Sequence, residues 1–116
     1  MLDIDIQTPE GETLGSFNFG DVPQGTTSAP LALKLVNTGT VAHSAILAWV
    51  EQADTTDGEM RVTIGGIAIT GTSRDAPTTL PGLAVGASVP GEVTWYNPAG
   101  SKGLPVDTGV LRVRAV

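Results

Sequence analysis

The chain has 116 residues, no cysteine and a net charge of −6, with 41% hydrophobic and only 4% aromatic residues. The length suits a single domain spanning residues 1–116. The lack of cysteine excludes a disulfide scaffold and a thiolate zinc site, and the acidic balance and scattered cations speak against nucleic acid or an anionic membrane as partner.

Leu2, Ile4 and Ile6 alternate with Asp3, Asp5 and Gln7, a pattern of period two that predicts a half-buried first strand. Residues 1–7 could equally form an N-terminal arm that adds to the sheet edge of a neighbour. The segment Met1–Ile6 has no basic n-region and no continuous apolar stretch, so it does not read as a signal peptide. No apolar run in the chain approaches a membrane-spanning length. With Met1 as the natural start, synthesis and folding are expected in the cytoplasm.

Thr8-Pro9-Glu10-Gly11 predicts a turn, and Leu14–Phe19 a second strand with Phe17 and Phe19 on one face. Asp21–Gln24 turns through Pro23. Leu31, Leu33 and Leu35 form the clearest inward row, ended by Asn37-Thr38-Gly39, where Asn and Gly both tolerate positive φ. His43–Gln52 is apolar on both faces, with Ala45, Leu47 and Trp49 on one and Ile46, Ala48 and Val50 on the other. A central strand is expected there, with Trp49 filling the core.

Asp54–Glu59 reads as a polar loop. Met60, Val62 and Ile64 face Ile67 and Ile69 across Gly65-Gly66, the signature of a tight hairpin with a primed turn. Gly71–Pro81 reads as a long loop and Leu83–Val85 as a short edge piece. Glu92–Tyr96 is a strand, Asn97-Pro98-Ala99-Gly100 a turn, and Lys102–Thr108 a loop. Leu111, Val113 and Ala115 mark the last strand. About seven to nine short strands separated by turn signals predict an all-β, immunoglobulin-like sandwich of two antiparallel sheets.

The run from Phe17 to Gly39 resembles the opening of ASH/Hydin-like immunoglobulin-like domains, also found in phage virion structural proteins. Phe19, Gly20, Val22, Gly25, Asn37 and Gly39 carry the likeness there. Leu83, Gly86, Ser88, Tyr96, Pro98, Gly109, Leu111 and Val113 carry it in the second half. The Gly65-Gly66 hairpin, the Gly71–Pro81 loop and the first strand lie outside the match. The resemblance implies a non-catalytic interaction or structural role without naming a partner.

Little in the chain suggests chemistry. The single histidine, His43, stands beside Ser44, but no supporting Asp or oxyanion turn accompanies it. It reads as a partly exposed histidine at a strand edge. Asp54, Asp57 and Glu59 share a loop with Gly58 and are weak candidates for Ca²⁺, since their spacing misses the EF-hand pattern. A solvated acidic turn is the simpler reading. Acids confined to turns and outward strand positions do not make the paired carboxylates of a glycosidase.

Trp95 and Tyr96 are adjacent and point to opposite faces of a regular strand. Either a bulge buries both or one is exposed, where it could stack on a sugar or anchor a protein interface. Candidate binding residues are therefore Leu2, Ile4, Ile6, Trp95 and Tyr96. The expectation is a non-enzymatic structural protein with no cofactor, docking by strand edges and loops as a capsid decoration or tail-associated domain of a phage virion. Its partners would be capsid or other virion subunits, or further copies of itself in a homo-oligomer. A carbohydrate-binding or adhesive module, and a scaffold domain excised from a longer protein, are the alternatives.

Overall fold

The computed structural model describes residues 1–15, 17, 19, 22, 25–52, 58–97 and 109–116. These form an all-β arrangement of two antiparallel sheets, consistent with a β-sandwich. The strands are β1 (Asp5–Gln7), β2 (Thr26–Thr27), β3 (Leu31–Val36), β4 (Ala45–Glu51), β5 (Glu59–Ile64), β6 (Ile67–Ala68), β7 (Thr78–Pro81), β8 (Ser88–Asn97) and β9 (Val110–Ala115). The larger sheet, A, runs β1-β3-β8-β5-β6, with β2 also paired to β8. The smaller sheet, B, runs β7-β4-β9.

Alternation along the strands builds the core. Leu33 and Leu35 of β3, Val62 and Ile64 of β5 and Val93 of β8 line the inner face of sheet A. Ile46 and Ala48 of β4 and Leu80 of β7 answer from sheet B. Leu35 and Ile46 are fully buried. With two phenylalanines in the whole chain, aliphatic side chains carry this interior, each gaining about 1.5–3 kcal/mol by burial.

Gly65 and Gly66 make the expected primed turn, with φ of 58° and 80°. The turn sets Ile64 opposite Ile67. The glycine of Asn37-Thr38-Gly39 has a different cause. Its φ is not positive. A Cβ at Gly39 would instead run into the Met1 carbonyl oxygen, so the bare backbone admits the N-terminal segment.

Several elements differ from expectation. Leu14, Gly15, Phe17 and Phe19 are in no strand; Thr13 makes only an isolated bridge to Gln7. Phe17 is largely exposed, its ring set edge-on against Phe19 at 5.0 Å. Strand β7 lies inside the expected Gly71–Pro81 loop, because Leu80 supplies one buried side chain to the core while its neighbours Thr79 and Pro81 stay exposed. The expected edge piece Leu83–Val85 is no strand but leads into a turn at Gly86, φ 75°.

Strand β8 begins four residues earlier than Glu92, at Ser88. It runs through Pro90 because the missing N–H falls opposite Gly65, where β5 turns and the ladder ends. Gly91 follows, and a Cβ there would crowd Thr63, Ile64 and Leu33.

Asn37 is buried and fully bonded. Its Nδ2 donates to the carbonyls of Val41 (2.9 Å) and Leu83 (3.0 Å). Its Oδ1 accepts from the Gly39 amide at 2.9 Å. One side chain thus fastens the end of β3 to the turns on either side of it.

Candidate interaction surfaces

Sheet B presents the most distinctive surface. Trp49 is buried, but strand parity sets it on the face away from the core, not inside the sandwich. Ile46, Ala48 and Val50 take the inward positions of β4, so Trp49 lies outward with Leu47 and Glu51. Its Nε1 donates to Glu51 Oε2 at 2.9 Å. Arg112, directly opposite Trp49 on β9, donates from Nε to Glu51 Oε1 at 3.2 Å. The Trp49 bond, then the Arg112 bond, holds the Glu51 carboxyl below its ordinary range. Arg114, opposite Leu47, completes the row and makes no ion pair among the described residues.

Strand β9 is also an edge. Val116 and Ala45 exchange both backbone hydrogen bonds (3.1 and 3.3 Å). Antiparallel alternation then turns the bonds of Arg114, Arg112 and Val110 toward β4. The N–H and C=O groups of Leu111, Val113 and Ala115 point the other way, and among the described residues nothing pairs with them. The alternation of Arg112 and Arg114 with Leu111, Val113 and Ala115 is plain in the sequence. That it forms an open edge among the described residues is a matter of sheet order.

Sheet A carries the aromatic pair. The register of β8 against β3 and β5 advances without a bulge, and yet both rings are half-buried. Trp95 lies on the inner side in line with Val93 and opposite Met60. Tyr96 lies on the outer side opposite Glu59 and Thr27, and is covered by Arg61, whose guanidinium carbon sits 4.3 Å from the ring centroid. The expected alternatives were a bulge or an exposed ring; instead a cation lying over Tyr96 covers it on a regular strand.

The N-terminal segment lies on its own domain here. Asp5, Ile6 and Gln7 pair with Val36, Leu35 and Lys34. Ile4 and Ile6 pack against the core, while Leu2 is largely exposed. The Thr40 amide donates to the Met1 carbonyl at 3.0 Å. His43 is buried, not partly exposed, because the first strand and the Leu83 turn close over it. Its Nε2 donates to the Asp3 carbonyl at 2.8 Å, while Nδ1 has no partner among the described residues. The imidazole is thus a tether for the first strand.

Asp54 and Asp57 lie outside the described residues. Glu59 is described and pairs with Arg61 at 3.4 Å. No cluster of metal-ligating side chains occurs among the described residues. A small apolar recess of about 100 Å³ opens between the sheets near Ile64, Ile67, Leu80 and Leu83. Comparison with protein-family models, with curated proteins and with solved structures finds no match to this chain.

Proposed function

We propose that this chain is a non-enzymatic structural and interaction domain, an accessory of a phage virion that docks on the particle by its strand edges and loops. The observation that carries the reading is the open edge of β9, a six-residue strand with one flank unpaired among the described residues. Such an edge offers backbone donors and acceptors in a row to another polypeptide. The likeness of the Phe19–Gly39 phrase to ASH/Hydin-like domains, some of them in virions, supports the particle as the setting. The stacked Arg61 on Tyr96 leaves less of that ring for a sugar, which favours protein over glycan as the ligand.

The test is co-expression of the tagged chain with the reading frames that surround it in its own genome, followed by gradient sedimentation and negative-stain microscopy. The chain is expected in the particle fractions, with extra density on particles made in its presence. A chain that stays at the top of the gradient while particles form overturns the reading.

A further inference from the structure

The partner's chemistry follows from what borders the β9 edge. We propose that the open side of β9 receives one extended segment of a partner protein in which acidic and apolar side chains alternate. This rests on the docking role proposed above and adds the kind of strand that fits.

The geometry sets the pattern. Residues directly opposite one another across a sheet ladder share a face. A strand laid against Leu111–Ala115 sets alternate side chains opposite Arg112 and Arg114 on the outer face. The side chains between them point inward beside Leu111 and Val113, which pack against the core. The outer positions are cationic. Arg114 makes no ion pair among the described residues, and Arg112 engages Glu51 through Nε. A guanidinium has five N–H donors, so the outer fork of Arg112 remains available to a second carboxylate.

A second copy of β9 does not fit. Antiparallel registers centred on Arg112, Val113 or Arg114 each set arginine opposite arginine, which is destabilising. Two chains of net charge −6 also repel at a distance. Carboxylates opposite the arginines, with valine or isoleucine between them, replace the first penalty with local charge pairing.

The test titrates the isotope-labelled chain with a seven-residue peptide alternating aspartate and valine. Controls are its lysine–valine counterpart and the acidic peptide N-methylated on alternate residues. At peptide concentrations up to about 2 mM, within reach of a weak interaction, the acidic peptide is expected to shift the amides of Leu111, Val113 and Ala115. The lysine and N-methylated peptides should not. Arg114→Glu, which breaks no ion pair seen here, should weaken binding by about tenfold, with amide spectra checking that the variant is folded. Three outcomes overturn the proposal: no shift with the acidic peptide, equal shifts with the lysine peptide, or β9 shifts that follow protein dilution because a second copy occupies the edge. A chain that binds the peptide but never sediments with particles overturns the virion reading and leaves this one standing. The converse result does the opposite.

Discussion

The indole of Trp49 and the carboxylate of Glu51 are two residues apart on one face of β4 and share a hydrogen bond of 2.9 Å. Arg112 on β9 binds the same carboxylate at 3.2 Å. Together they hold the Glu51 carboxyl lowered in the folded chain. A lowered acid stabilises the fold above its unfolded value, and the contribution disappears as pH falls through the folded value. The Trp49 indole N–H resonance is therefore expected to move with an acid midpoint below that of ordinary glutamates. In Glu51→Gln the movement should vanish. An indole signal in the parent chain that ignores acidification while other carboxylates titrate would show that the bond does not form.

Asn37 predicts a large stability loss. Asn37→Ala strands the amide of Gly39 in a buried setting and the carbonyls of Val41 and Leu83 in a partly buried one. The expected loss is at least about 2 kcal/mol in denaturant unfolding. A loss under about 0.5 kcal/mol, the range of an ordinary surface change, would contradict the role.

His43 predicts a local effect. In His43→Leu the donor to the Asp3 carbonyl is gone. Hydrogen exchange should then quicken at the Thr40 amide, whose acceptor is the Met1 carbonyl, while amides of β5 keep their protection. Uniformly faster exchange would mean that the whole fold, not the tether, had been weakened.

Leu35 and Leu2 separate interior from surface. Leu35 is fully buried and Leu2 largely exposed. Leu35→Ala should cost about 2–5 kcal/mol, and Leu2→Ala within about 0.5 kcal/mol. Similar costs at both positions would place the N-terminal leucine in the core.

Much of this architecture is legible in the sequence. The inward rows of β3, β5 and β9 follow from alternation, and the Gly65-Gly66 turn from two adjacent glycines between apolar runs. Other features depend on what lies opposite. Trp49 reads as core because apolar residues surround it in sequence; only the pairing with Arg112 shows that it faces out. Strand β7 was hidden because Thr78–Pro81 has a single apolar inward residue, Leu80. Strand β8 starts before Glu92 because Pro90 falls opposite Gly65, where β5 turns and no donor is needed. Of the surface residues, the first-strand side chains and the aromatic pair stood out by type. The Arg112 and Arg114 edge did not, since openness belongs to strand order and not to any one residue.

Sheet B joins distant parts of the chain, Ile46 with Ala115 and Glu51 with Val110. Closing so long a span is slow, and folding in about milliseconds to seconds is the range for such topologies. While the polypeptide is still emerging from the ribosome, β4 has no β9 beside it. The backbone edge of β4 then waits unpaired, and that interval is when this acidic chain is most prone to aggregate.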